Sequence, residues 1–239
     1  MLEAGLWGLT GASTLVIGAW IGLRLPVSRR AVGWVMAFGV GALTSAVAFD
    51  LTEEAFRIGG TLAVAAGLGG GALTFYFGNQ LLNQRRRGAH VSAADGNGPA
   101  IVLGALLDGI PESIVLGSTL LAGAGISVPF LAAVAISNVP EALTAAVDLR
   151  REGHRPGWIV RVWIAVALIS GLAAALGYGL LGEMGGSVWV PLVQAFAAGA
   201  ILTMLVDTMI PEAFADGGDL VGLATVLGFA SAFFLTNIS

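Results

Sequence analysis

The sequence predicts an all-α integral membrane protein: eight transmembrane helices with inverted internal repeats, forming a single domain over residues 1–239. Three observations predict it. Charged residues make up only 11% of the chain against 56% hydrophobic, and the mean hydropathy is +0.88; soluble domains average about 25% charged. Apolar runs long enough to cross a bilayer recur along the whole chain, separated by short polar breaks. Two pairs of these runs also repeat one another in sequence. The 36 glycines fit helices packed closely in lipid. With no cysteine, disulfides and thiolate metal ligands are excluded. The lipid bilayer is the first expected partner; no nucleic acid, prosthetic group or enzymatic activity is expected.

The first run, residues 4–25, lacks a basic leader and a small-residue cleavage site, so it reads as a retained helix rather than a signal peptide. Pro26 to Arg30 break it from the second run, 32–52, which ends among Asp50, Glu53 and Glu54. The third, 59–82, ends at Asn79 and Gln80. The longest break, 83–98, holds Arg85, Arg86, Arg87 and His90, with His90 read as a solvated loop residue. Runs 99–123 and 127–148 follow, then the polar segment Glu152 to Gly157 and the sixth run, 158–182. The seventh, 188–210, ends near Asp207 and Glu212, and the eighth is 219–237.

Every basic residue is arginine, and their placement sets the orientation. Arg24, Arg29 and Arg30 flank the first loop, Arg85 to Arg87 the third, and Arg150, Arg151, Arg155 and Arg161 the fifth. Only Arg57 falls in an even-numbered loop. Odd loops are therefore expected in the cytoplasm and both termini outside, in a plasma or inner membrane. Trp7, Trp20, Trp34, Trp158, Trp163 and Trp189 lie near the ends of runs and are expected to be interfacial anchors.

Residues 37–60 align without gaps to 195–218, matching at nine of 24 positions, including Gly41/Gly199, Glu-Ala-Phe at 54–56 and 212–214, and both terminal Gly-Gly pairs. A second repeat relates Leu107-Asp108-Gly109-Ile110-Pro111-Glu112-Ser113 to Ile136-Ser137-Asn138-Val139-Pro140-Glu141-Ala142, twenty-nine positions later. Given the orientation above, each pair runs in opposite directions through the membrane. Inverted repeats of this kind place a binding site near the bilayer midplane.

A carboxylate at the centre of a membrane helix costs roughly 2.5–3.5 kcal/mol on insertion scales, and the chain accepts that cost in both Pro-Glu copies. Asp108 and Glu112 are four apart, as are Ser137 and Glu141, which puts each pair on one helix face. Pro111 and Pro140 cannot donate an N–H, so the carbonyls of Leu107 and Ile136 lose their helical partners. The expectation is two broken, facing helices whose oxygens form a cluster of acceptors. The converging carboxylates repel one another and need a bound cation, protons, or both. Neither helix carries a basic residue at that depth, so a cation has to come from outside the chain.

These motifs, their spacing and the eight-helix layout resemble the ZIP family of divalent metal transporters. In that family the fourth helix usually reads His-Asn-x-Pro-Glu-Gly, and the fifth carries a similar Pro-Glu motif. The resemblance implies that Glu112 and Glu141 are metal ligands. Asp108 stands where the family has histidine, Gly109 where it has asparagine, and Ser137-Asn138 where it has a polar or acidic pair. With these two as ligands, Asp108, Ser137 and Asn138 are expected to complete a metal set of Asp108, Glu112, Ser137, Asn138 and Glu141; Asp50, Asp207 and Glu212, at the ends of the second and seventh runs, are read as pathway groups, the alternative being interfacial solvation. The resemblance further implies import of a divalent cation by alternating access, and a homodimer. An all-oxygen set suits manganese, iron or magnesium better than a histidine site would, while zinc also accepts carboxylates. The alternative is a membrane metal-binding or sensor protein of the same fold that does not transport. A carrier of organic cations would need an apolar or aromatic pocket at mid-depth, and the fourth and fifth helices offer only Phe130, near one end.

Overall fold

The computed structural model describes residues 1–88, 98–122, 125–184 and 189–238. His90 lies outside the described residues. The elements are α1 (Leu2–Arg24), α2 (Arg29–Ala46), a π-helical segment (Val47–Glu53), α3 (Glu54–Gly88), α4 (Gly98–Thr119) and α5 (Val128–Arg151). They continue with α6 (Pro156–Glu183), α7 (Trp189–Met204), a second π segment (Leu205–Met209), α8 (Ile210–Gly217) and α9 (Val221–Ile238). Short 3₁₀ turns follow α4 and α8.

Helix starts follow local chemistry. The Ser28 hydroxyl caps α2 by accepting from the Ala31 N–H at 3.2 Å, and Ser127 caps α5 by accepting from the Phe130 N–H at 3.2 Å. Pro156 opens α6, where its missing N–H costs nothing.

Among the described residues, six helical stretches are long and apolar enough to cross a membrane, which makes this a multi-pass, all-α membrane protein. Two of them, Arg29–Leu81 and Trp189–Ile238, run for 53 and 50 residues. At 1.5 Å per residue such a stretch would extend roughly 75–80 Å if straight, against about 30 Å of hydrocarbon. Each carries one break, and the two breaks are alike. Gly60 has φ 68° and ψ −173°, and Gly218 has φ 71° and ψ −152°, a region open essentially only to glycine. Each break also follows a π-helical segment in the preceding helix.

The second and seventh helices therefore do not end near 52 and 210 as the apolar runs suggest. Helical backbone continues through the π segments to Gly60 and Gly217, because polar residues such as Glu53, Glu54 and Glu212 sit comfortably on a helix that leaves hydrocarbon.

The broken-helix expectation for the Pro-Glu motifs is corrected. α4 and α5 are continuous, with Pro111 and Pro140 inside them. One missing N–H in a helix of more than 20 residues leaves the remaining ladder to carry the segment through.

Packing is extensive between α3 and α7, α2 and α9, α1 and α6, α1 and α5, and α4 and α6. Gly41 lies so close to Thr225 of α9 that a methyl there would overlap the Thr225 carbonyl oxygen. Its aligned counterpart Gly199 stands in the same relation to Leu68 of α3. Two apolar cores result. One gathers Met36, Leu43, Leu51, Phe130, Ile201 and Leu205. The other gathers Leu15, Leu149, Ile159, Trp163 and Val166 around α1, α5 and α6. Trp163 is thus no interfacial anchor: it is 1% exposed, on the same face of α6 as Ile159, Val166 and Ala167. Trp20, Trp34 and Trp189 do stand exposed.

Candidate functional site

A cavity of about 680 Å³ enters the bundle between α4, α5, α6 and α8. Ile101, Gly104, Ala105 and Asp108 line it from α4, and Glu141, Thr144, Ala145, Asp148 and Arg151 from α5. Glu152, Trp163, Thr208 and Glu212 complete the wall. Its mouth lies at the end of α5 near Glu152. Glu141 is deeper by roughly 16 Å along that helix at 1.5 Å per residue, about half the hydrocarbon thickness. Five carboxylates face this space beside one guanidinium, and Arg151 is itself paired with Asp148 at 3.3 Å.

One turn further along α4, Glu112 points into a separate crevice with Ser113, Asn138 and Ser170, walled by Gly8, Gly11, Ala12 and Leu15 of α1. Glu112 is 3% exposed. The crevice, about 10 Å³, approaches the volume that one water needs. The Asn138 amide donates to the Gly11 carbonyl at 3.3 Å, and the Ser170 hydroxyl has no partner. The two spaces communicate electrostatically: Glu141 lies within charge-interaction reach of Asp108, Glu112 and Glu212, and Glu112 within reach of Asp108.

The structure thus brings Asp108, Glu141 and Glu212 to one cavity and sets Glu112 and Asn138 beside it. Ser137 reaches neither space. It is buried, donates to the Val134 carbonyl at 3.0 Å, and packs against Gly39. Asp207 is exposed on the flank of its π segment and is not part of the cavity wall. Among the described residues, no three His, Asp or Glu side chains converge closely enough to hold a metal ion as they stand. Of the carboxylates singled out from the sequence, Asp108, Glu141 and Glu212 line this cavity. Thr208 and Trp163 are lining residues that sequence reasoning missed. For Thr208 a signal existed, since it stands four residues before Glu212 and shares its helix face.

A second cavity, about 270 Å³, opens at the opposite end of the bundle. Asp50 and Glu54 line it, with Phe49, Arg57, Thr119, Ser127 and Gln194. Val115, Leu116, Phe130 and Val134 are buried together in the apolar core.

No family model matches the chain. Over 192 residues it is 27% identical to an Arabidopsis thaliana protein described as a "Putative zinc transporter". That alignment covers 78% of this chain and 31% of the relative, so the chain spans about a third of that protein's length.

Proposed function

We propose that the protein is a carrier of divalent metal cations that moves them across the membrane through the carboxylate-lined cavity. One observation carries this: five carboxylates line one cavity inside the helix bundle, beside a single arginine already paired with Asp148. Such a cavity concentrates cations, and the buried acidic groups at its end are expensive unless a cation occupies them. The similarity to a protein named as a zinc transporter agrees with this reading.

Asp108 and Glu141 are the first ligands in this account, with Glu112 and Asn138 recruited as the helices shift and Glu212 guiding the ion along the wall. The all-oxygen donors favour harder ions such as manganese, iron or magnesium, and zinc remains compatible. Breaks at Gly60 and Gly218 turn six helical stretches into eight passes. The aligned segments 37–60 and 195–218, each with a π segment and a glycine break, are then inverted repeats about an axis in the membrane plane. The arginine-rich end is cytoplasmic, so the large cavity is the inward-facing half of an alternating-access cycle. Asp50 marks the outward half.

Proteoliposome uptake of a radiolabelled divalent ion tests the proposal. Asp108→Asn and Glu141→Gln are each expected to lower the initial rate at least tenfold with the protein still folded. Saturable binding without flux in the unaltered protein would favour the sensor alternative. Flux unchanged in both variants would remove the site.

A further inference from the structure

Arg151 is out of place in a path for cations. Among the described residues it is the one basic side chain in the wall of the large cavity, and a fixed positive charge near the mouth repels the ions that the carboxylates attract. It is joined to Asp148 by a single contact at 3.3 Å, three residues away on an exposed stretch of α5. Surface pairs of this kind hold weakly.

A smaller space lies beside this pair. A pocket of about 70 Å³ between α2, α5 and α8 is lined by Arg29, Asp148, Arg151 and Asp216, with Val32 and Thr144. Asp148 and Arg151 therefore belong to the walls of both spaces. Asp216 is joined to Arg29 by a single contact at 3.4 Å, and the Arg29 side chain is 66% exposed against 20% for Asp216. The mount under Asp216 is firm. The Trp34 indole N–H donates to the Gly217 carbonyl at 3.0 Å, and a methyl on Gly33 would overlap the Gly217 backbone. Two guanidiniums and two carboxylates thus surround one pocket, and each is loosely held.

We infer that Arg151 is a movable counter-charge with two seats, Asp148 and Asp216, and that its transfer to Asp216 frees Asp148 to take a divalent cation near the cavity mouth. This rests on the transport reading and adds one ligand to it. Glu141, Thr144, Asp148 and Glu152 all line the cavity, and their three- and four-residue steps put them on one face of α5. An ion leaving Glu141 therefore meets Asp148 roughly 10 Å further out, at 1.5 Å per residue. Its double charge competes with the guanidinium for that carboxylate. Arg151 then turns into the pocket, which has room for about two waters at roughly 30 Å³ each, and pairs with Asp216. Arg29, already mostly in water, lets go. When the ion leaves, the pairs return to the arrangement seen here.

Equilibrium binding of Mn²⁺ to the full chain in nanodiscs, followed by the paramagnetic resonance of the free ion, tests the exchange without flux. Arg151→Gln is expected to tighten binding at least threefold, and adding Asp148→Asn removes that gain. Asp216→Asn takes away the second seat and weakens binding at least twofold, yet has no effect once Arg151→Gln is present. Arg29→Gln leaves Asp216 open to Arg151 and acts in the opposite direction, so these two variants decide the matter if Arg151→Gln fails to fold. Coupling between Arg151 and Asp216 is not expected of a charge that merely caps the end of α5. An affinity unmoved by Arg151→Gln, a gain that survives Asp148→Asn, or an equal effect of Asp216→Asn with and without Arg151 overturns the exchange and leaves the central carboxylates standing. No Mn²⁺ bound by the unaltered protein removes both.

Discussion

At the scale of single residues, chemistry depends on which side of a helix turn a group occupies. Asp108 and Glu112 stand one turn apart on α4, yet Asp108 meets an open cavity and Glu112 a crevice with room for little more than a water. Asp108 is therefore positioned to tune ion preference. Asp108→His would replace a hard oxygen donor with imidazole, which suits zinc. In a competition series of divalent ions against one transported tracer, this variant is expected to shift preference toward zinc by at least fivefold; an unchanged order would show that Asp108 does not touch the ion. Gly60 and Gly218 make a second residue-scale case. Alanine at either position must hold φ near 70° with an extended ψ, at a cost of about 1–3 kcal/mol. Both variants should lower the thermal midpoint in detergent, and by similar amounts because the two backbones are alike.

At the scale of elements, α4 and α5 show that proline inside a membrane helix is an economy of hydrogen bonds more than a break. α5 runs unbroken from Val128 to Arg151 around Pro140, so alanine there should supply the N–H donor that the Ile136 carbonyl lacks. Pro140→Ala is expected to raise the thermal midpoint while lowering uptake several-fold, because a free carbonyl beside Glu141 disappears. A variant both less stable and fully active would contradict this account. The π segments tell the complementary story. Each inserts its extra residue before a glycine break, in helices whose sequences align. π segments inside α-helices often mark functional positions. Here Thr208, inside the second π segment, and Glu212, just beyond it, line the cavity while Asp207 is exposed on the flank.

At the scale of the whole molecule, two cavities enter from opposite ends of the bundle, and Leu116, Phe130 and Val134 are packed in its apolar core. The absence of cysteine makes their sidedness easy to measure. A single cysteine at Glu152→Cys, by the mouth of the large cavity, should react with a membrane-impermeant thiol reagent only after cells are permeabilised. One at Glu53→Cys, on the exposed rim of the other end, should react in intact cells. The reverse pattern would invert the orientation and, with it, the direction of the cycle.

The sequence by itself determined the membrane class, the approximate location of the helices, the two sets of aligned segments and the acidic residues placed at depth. Each of these follows from what hydrocarbon tolerates: long apolar runs, satisfied backbones and few charges. Tertiary structure decided the rest. Trp163 reads as an anchor from its position along the chain, but its face of α6 packs against α1 and α5. Ser137 and Asp207 carry suitable oxygens and still lie outside the wall of the large cavity, while Gln194, unremarkable in its apolar run, ends up buried with its carboxamide oxygen unpartnered. Spacing along a helix says which residues share a face; only the neighbouring helices decide whether that face meets lipid, a packed core or a space that an ion can fill.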